Sequence, residues 1–249
     1  MFEKISSFRH IPNAITCLNL FCGCLSVISA FNNRLETASY FIFAAAVFDF
    51  FDGFTARWLK AYSAIGKELD SLADMVSFGI APASIMYALL LTAASKHGLP
   101  VETCAFGWLV AAPAFMLAVF SALRLAKFNT DTRQTDSFIG VPTPAAALFI
   151  CSLAFISSES NSLAMLTGNM FFLLAVVAVF SYLLVAELPL FSLKFKSFDW
   201  KSNKTRYVFM ALSAFILLIL HWAGLALVIS VYIVVSIFTN IFCDRKGST

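Results

Sequence analysis

The sequence predicts an all-α integral membrane protein, a bundle of about eight transmembrane helices. The first observation is composition: 60% of the 249 residues are hydrophobic and 12% are charged, whereas soluble domains carry about 25% charged residues. The second is a mean hydropathy of +0.86. The third is a series of apolar runs close to the ~20 residues that a helix needs to cross a bilayer. Because no polar interval is long enough to hold another domain, we expect a single polytopic membrane domain over residues 1–249.

Eight apolar runs are candidates for spanning helices. In chain order they cover residues 13–31, 36–57, 69–94, 103–128, 142–158, 168–187, 206–221 and 223–243. Only a tight turn joins the last two, so a six-span alternative, with one of these pairs re-entrant, stays open. Pro82 and Pro113 fall inside predicted spans and are expected to kink them.

The basic residues predict the orientation. If the N-terminus is cytoplasmic, two basic residues, Arg34 and Lys96, fall on the outer side, and fifteen fall on the inner side. The fifteen are Lys4, Arg9, Arg57, Lys60, Lys67, Arg124, Lys127, Arg133, Lys194, Lys196, Lys201, Lys204, Arg206, Arg245 and Lys246. Cytoplasmic loops carry the excess of Lys and Arg, so we expect both termini to be cytoplasmic.

The sequence does not indicate a nucleic-acid, disulfide or zinc site. The net charge of +3 is small, and we expect no nucleic-acid partner. The six Cys lie mostly inside apolar runs with no CxxC pair, and the three His are scattered. This pattern favours buried thiols over a disulfide framework or a zinc site.

Four aspartates are concentrated in the second and third predicted spans: Asp49, Asp52, Asp70 and Asp74. If the two helices are antiparallel, the two pairs reach similar depths, ~6–7 Å and ~12 Å from the cytoplasmic helix ends. Spacings of three and four residues place each pair on one helix face. The four carboxylates are therefore expected to converge just inside the cytoplasmic boundary.

A lone Asp in a span is explained well enough by a hydrogen bond between helices, but four converging carboxylates cannot all stay ionised without cations. Two Mg²⁺ or Mn²⁺ ions are the natural partners. Gly53 leaves room for a ligand beside the backbone, and Arg57 offers a bidentate donor for phosphate. Metal and phosphate at a lipid–water interface indicate phosphoryl transfer on a lipid-linked nucleotide.

A cation-coupled transporter is the alternative of a different class, since intramembrane carboxylates also line ion paths. Transporters place such groups near mid-membrane, often on interrupted helices in two halves of the chain. Here the carboxylates lie near one interface and on one pair of helices, which favours the enzyme.

The same stretch resembles the signature of the CDP-alcohol phosphatidyltransferase family at all of its fixed positions: Asp49, Asp52, Gly53, Ala56, Arg57, Gly66, Asp70 and Asp74. The resemblance implies that the four aspartates hold two divalent metals and that Asp74 is also the catalytic base. It implies contacts to CDP-diacylglycerol from Gly53, Arg57 and Ser63, and from an early segment made of Pro12, Asn13, Ala14 and Ile15. It also implies a six-helix catalytic core, about residues 10–187, with C-terminal helices at about 206–243, and a homodimer.

Residues 70–83, 124–129 and 138–147 resemble the phosphatidylserine synthase branch of that family. The branch implies transfer of the phosphatidyl group from CDP-diacylglycerol to the hydroxyl of L-serine, with release of CMP, at the cytoplasmic face of a bacterial inner membrane. Arg124, Lys127 and Asn129 are then candidates for binding serine. Arg124 and Lys127 are explained equally well as positive-inside anchors. An acceptor such as glycerol 3-phosphate or inositol phosphate would need basic residues here too.

Overall fold

The computed structural model describes residues 10–61, 63–101, 106–130, 138–159, 163–190 and 200–244, and within these ranges the chain is almost entirely helical. The helices are α1 (His10–Phe31), α2 (Leu35–Trp58), α3 (Ala64–Asp74), α4 (Ala81–Lys96), α5 (Met116–Thr130), α6 (Thr143–Ser158), α7 (Ala164–Thr167), α8 (Met170–Val185), α9 (Trp200–Leu220) and α10 (Gly224–Asp244). A π-helical segment (Met75–Ile80) joins α3 to α4, and a 3₁₀ helix (Gly107–Phe115) leads into α5. Two short strands, β1 (Phe138–Ile139) and β2 (Pro189–Leu190), pair antiparallel.

The all-α membrane architecture predicted from the apolar runs is confirmed. Among the described residues, five helical stretches are long and apolar enough to cross a membrane: His10–Phe31, Leu35–Trp58, Ala64–Lys96, Gly107–Thr130 and Arg206–Phe238. Two further apolar helices, α6 and α8, have 16 residues each, or ~24 Å at 1.5 Å per residue.

The last two predicted runs form a helical hairpin rather than one continuous helix. A 3₁₀ turn (His221–Ala223) separates α9 from α10, and His221 adopts a positive φ of 48°. Phe209 and Tyr232, on opposite sides of the turn, bring their ring centroids to 5.7 Å. Trp222 at the turn stacks on Phe43 of α2 and Phe155 of α6, which docks the hairpin on the rest of the bundle.

Both internal prolines coincide with a change of helix type. Pro82 lies in the first turn of α4, directly after the π-helical segment, and Pro113 lies inside the 3₁₀ helix. A proline has no N–H to give to the preceding turn, and its ring crowds the carbonyl four residues back. The regular α-helical hydrogen-bond pattern is therefore interrupted near both prolines, as expected.

The centre of the bundle is α4, in which eleven of sixteen residues are buried. It packs against α1, α2, α6 and α8. Many of its buried residues are alanines, and small residues allow backbones to approach closely in a membrane, where helix association depends on packing. The central helix thus holds α1, α2 and α6 in fixed positions around the aspartates.

The connections alternate between the two ends of the bundle. Arg34 and Lys96 line one cavity together with Ser157 and Thr167, so the turns after α1, α4 and α6 share an end. The aspartates lie toward the opposite end, where α2 finishes and α3 begins; we call this the motif end. Of the basic residues counted above, Lys4, Arg9, Arg133, Lys194, Lys196, Arg245 and Lys246 lie outside the described residues.

Candidate active site

Three of the four aspartates form one tight group. Asp49 of α2 and Asp70 and Asp74 of α3 each offer a carboxylate oxygen, and the three oxygens lie within 4.8 Å of one another. The depth matching across antiparallel helices therefore places these three as expected. The group is half-buried, so a ligand can reach it from the motif end.

Asp52 stands slightly apart from this group. Its side chain is 5% exposed, and its buried Oδ2 atom has no hydrogen-bond partner among the residues that the structure describes. Asp52 lines two adjoining cavities. An unpartnered buried carboxylate oxygen is costly, and its position on the shared wall indicates that a ligand or cation satisfies it.

Helix α1 positions Asp74 through a residue that the sequence analysis did not single out. Asn19 is fully buried, and its Nδ2 donates to Oδ1 of Asp74 at 3.3 Å. The backbone carbonyl of Asn19 accepts a hydrogen bond from Oγ of Ser77 at 3.0 Å. Asn19 is therefore tied to α3 through its side chain and to the π-helical segment through its backbone.

The close approach of α1 to the π-helical segment depends on Gly23. A Cβ atom at this position would lie 2.5 Å from Oγ of Ser77 and 2.9 Å from its Cα. No side chain fits at these distances without moving backbone. The missing side chain thus lets Ser77 reach Asn19.

One cavity, which we call the nucleotide cavity, lies between the start of α1 and the α2–α3 turn. Its volume is about 270 Å³. Five of the seven predicted CDP-diacylglycerol contacts line it: Pro12, Asn13, Gly53, Arg57 and Ser63. Thr16, Asp52 and Asp70 share the same wall. The other two predicted contacts, Ala14 and Ile15, are exposed and half-buried respectively and do not line this cavity.

The N-terminus of α3 lines the nucleotide cavity and is capped by a side chain. Ser63 is the N-cap of α3, and its Oγ accepts from the backbone N–H of Gly66 at 2.9 Å. A Cβ atom on Gly66 would lie 2.9 Å from Oδ1 of Asn13. Glycine therefore allows α1 to rest directly on the first turn of α3.

A second cavity, which we call the acceptor cavity, adjoins the nucleotide cavity, shares Asp52 and Asp70 with it, and has a volume of about 480 Å³. All four aspartates line it, together with Arg57, Ser71, Arg124, Asn129 and the Pro142–Thr143–Pro144 segment, among others. Arg124 is only 7% exposed, its Nε has no hydrogen-bond partner within the described part of the chain, and its guanidinium lies 5.8 Å from the centre of the Phe128 ring. A buried cation thus faces the carboxylates across this space.

The three predicted serine contacts are not equivalent. Arg124 and Asn129 line the acceptor cavity, where Nδ2 of Asn129 donates to Oγ of Ser71 at 2.8 Å. Lys127 lies elsewhere: its Nζ forms an exposed ion pair with Glu187 at 3.2 Å. The structure therefore brings two of the three to the aspartates.

The donor set fits hard divalent cations. Oxygen ligands about 2.1 Å from one Mg²⁺ lie up to ~4.2 Å apart, and the grouped oxygens fall within 4.8 Å of one another. The unpartnered Oδ2 of Asp52 offers a further ligand atom nearby. Asp49, Asp70, Asp74 and Asp52 can therefore hold cations with only small adjustments.

The comparison with protein families agrees with this geometry. The family described as CDP-alcohol phosphatidyltransferase matches residues 9–184. The chain belongs to the CDP-alcohol phosphatidyltransferase family. Its members transfer phosphatidyl groups and depend in general on divalent metals. The match includes both cavities and all the predicted site residues.

Individual relatives point to one branch of the family. The chain is 37% identical to a CDP-diacylglycerol–serine O-phosphatidyltransferase of Bacillus subtilis over 147 residues, 59% of this chain and 76% of the relative. It is 28% identical to the Helicobacter pylori protein of that name over 244 residues, 97% and 95% of the two chains. An archaetidylserine synthase of Methanothermobacter thermautotrophicus is 31% identical over 152 residues, 60% of each chain.

The sequence does carry a signal for Thr16 and Asn19, the two site residues on α1 that the carboxylate pattern does not identify. Asn13, Thr16 and Asn19 interrupt an otherwise apolar run at spacings of three, which places them on one helical face. In the structure Asn13 and Thr16 line the nucleotide cavity and Asn19 holds Asp74. A polar stripe along a spanning helix is thus a pointer to the site that the carboxylate pattern alone does not give.

Proposed function

We propose that this protein is a CDP-diacylglycerol–serine O-phosphatidyltransferase, which transfers the phosphatidyl group of CDP-diacylglycerol to the hydroxyl of L-serine and releases CMP. The observation that carries the proposal is the placement of the aspartates against two adjoining cavities: Asp52 and Asp70 line both, and Asp49 and Asp74 line the acceptor cavity. The start of α1 lines the first cavity, buried Arg124 lines the second, and Arg57 lines both. The names of the relatives support serine as the acceptor.

Two divalent cations, Mg²⁺ or Mn²⁺, would be held by Asp49, Asp52, Asp70 and Asp74. When bound, such cations offset the carboxylate charges and draw electron density from the diphosphate oxygens. The close grouping of three carboxylate oxygens and the unpartnered oxygen of Asp52 support this assignment. The protein itself supplies the positioning of both substrates.

In the nucleotide cavity, Arg57 binds a phosphate of the CDP group through its planar guanidinium. Gly53 lies beside it: a Cβ atom there would be in van der Waals contact with the Arg57 guanidinium at 3.5 Å, so glycine leaves slightly more room for the phosphate. Pro12, Asn13 and Ser63 complete the wall around the nucleotide. Ala14 and Ile15, which do not line this cavity, are assigned to the lipid part of the substrate.

Asp74 is the general base of the proposed reaction. Its carboxylate takes the proton of the serine hydroxyl as the hydroxyl oxygen attacks the lipid-side phosphorus. A new P–O bond forms to serine, the P–O bond to CMP breaks, and CMP leaves with the bridging oxygen. Asn19 holds one oxygen of Asp74, and Asp74 lines the acceptor cavity, where the serine hydroxyl would lie.

The acceptor cavity would hold serine between Arg124 and Asn129, which line it. Lys127 forms an exposed ion pair with Glu187. It would act as a positive-inside membrane anchor or attract the carboxylate of serine from outside the cavity. The motif end is assigned to the cytoplasmic side of a bacterial inner membrane, with both termini on that side. The charge distribution supports this orientation. The homodimer implied by family resemblance stays a prediction, which light scattering of the detergent-solubilised protein would test.

The test is CMP release by the purified protein, supplied with CDP-diacylglycerol, Mg²⁺ or Mn²⁺, and one acceptor at a time. L-serine should give rapid CMP release and a new aminophospholipid, and the matched acceptors glycerol 3-phosphate and inositol phosphate should not. Faster turnover with either phosphate-bearing acceptor would assign the protein to another branch. An absence of CMP release with every acceptor would reject the enzyme function.

A further inference from the structure

The acceptor cavity contains a feature that the proposed function does not yet use: the N-terminus of α6 opens onto it. Pro142, Thr143 and Pro144 all line the cavity. Thr143 is the first residue of α6 and is 1% exposed. Its hydroxyl and the first backbone N–H groups of the helix therefore belong to the same wall as Arg124.

The start of α6 is fixed in place by the chain before it. The backbone N–H of Gly140 donates to Leu188 O at 2.9 Å, and that of Val141 donates to Leu183 O at 3.0 Å. Gly140 has φ +77°, and a Cβ atom there would lie 2.8 Å from Leu184 O. The short β1–β2 pairing continues this attachment. The helix start is thus anchored to the end of α8.

The first turn of α6 has few backbone donors. Neither Pro142 at the N-cap nor Pro144 carries an N–H, while the N–H of Ala146 donates to Pro142 O at 3.1 Å. The N–H groups of Thr143 and Ala145 have no partner within the helix, as is general for a first turn. Together with the helix dipole, they favour an anion at this end.

An anion in this cavity needs such help, because four carboxylates line it already. Two arginines face the cavity. Arg57 also lines the nucleotide cavity, whereas Arg124 lines only the acceptor side. The unpartnered Nε of Arg124 is a second, independent indication that a ligand binds beside the helix start.

We propose that Arg124 and the N-terminus of α6, with the Thr143 hydroxyl, form a clamp for the carboxylate of an amino-acid acceptor. The inference rests on the proposed function and adds the group by which the acceptor is recognised. The clamp holds the carboxylate away from the aspartates and turns the hydroxyl toward Asp74. It selects acceptors that carry a carboxylate over amino alcohols or amides of the same size.

The test compares L-serine with L-serinamide, which has the same shape and hydroxyl but no carboxylate. CMP release by the purified protein gives kcat and KM for each acceptor. Arg124→Gln should raise the KM for L-serine ~10²-fold and Thr143→Val ~10-fold, because hydrogen bonds to charged groups are among the strongest. For L-serinamide the losses should be much smaller than for L-serine, so the preference for L-serine, measured as the ratio of the two kcat/KM values, should fall in both variants.

Two further variants separate recognition from folding. Thr143→Ser keeps the hydroxyl and should restore the KM for L-serine. Ser152→Ala removes a buried hydroxyl from the middle of α6, where it bonds only Phe149 O at 2.7 Å, and should leave the serine preference unchanged. Equal losses with both acceptors, or a Thr143→Ser variant that behaves like Thr143→Val, would overturn the clamp.

The outcomes also distinguish the clamp from the function on which it rests. A wild-type protein that uses L-serine but shows no preference over L-serinamide retains the proposed function and loses the clamp. A wild-type protein that makes no product from L-serine loses both.

Discussion

Replacing Asn19 with leucine tests whether α1 takes part in catalysis or only in packing. Leucine matches asparagine in size but removes the 3.3 Å hydrogen bond from Nδ2 to Asp74. A hydrogen bond to a charged group contributes about 1.5–3 kcal/mol, and the long distance favours the lower end of this range. Because 1.4 kcal/mol corresponds to a factor of about ten, kcat should fall roughly tenfold.

The apparent KM for CDP-diacylglycerol should change little in Asn19→Leu, because Asn19 does not line the nucleotide cavity. The variant also removes the unpartnered Oδ1 of Asn19, so its thermal stability should not fall. The assay is steady-state CMP release together with a thermal melt on the same detergent sample. Ser84→Ala is the matched control, since Ser84 is equally buried but bonds Ile80 O. Unchanged kcat with a lowered melting temperature would refute the positioning role.

Three other predictions address the base, the packing and the orientation. Asp74→Asn should lower turnover ~10²–10⁴-fold while CDP-diacylglycerol binding falls much less; equal losses in both, measured on one sample, would make Asp74 a ligand only. Gly23→Ala should destabilise the protein by ~1–3 kcal/mol, since an added Cβ meets Ser77 at 2.5 Å, whereas Gly168→Ala, with no atom closer than 3.5 Å, should melt near the wild type. In a cysteine-free background, Lys96→Cys should react with an impermeant maleimide on intact cells and Lys60→Cys only after permeabilisation; the reverse pattern would invert the proposed topology.

The sequence predicts the helices well because a spanning helix must be long and apolar. The run at residues 36–57 corresponds to the helix Leu35–Trp58, and the turn expected before residue 223 corresponds to the 3₁₀ turn at His221–Ala223. The depth of each aspartate follows from helical rise alone. For this reason the positions of Asp49, Asp70 and Asp74 along the chain are enough to predict that they lie together.

The lateral arrangement is harder to predict, because it depends on how neighbouring helices are rotated. Depth does not reveal that Asp52 stands beside the other aspartates, nor that Asn19 turns toward Asp74. The buried face of α1 carries polar and small residues such as Thr16, Asn19 and Ser26, so the polar stripe, and not hydrophobicity, identifies this face. Lys127, near the end of α5, is a second example. A basic side chain at a helix end can point into a cavity or pair with an exposed residue, and the sequence does not reveal that Lys127 pairs with Glu187.

The most direct test of the account is the transfer of isotope-labelled L-serine into lipid by the purified protein. With CDP-diacylglycerol and Mn²⁺ or Mg²⁺ present, the label should enter a chloroform-soluble phospholipid in a one-to-one ratio with released CMP. Treatment with EDTA should stop the transfer and added metal should restore it, while Asp70→Ala should remain inactive under every condition. Label transfer that persists in EDTA, or in folded Asp70→Ala protein, would contradict the assignment of the aspartates as the metal-dependent centre.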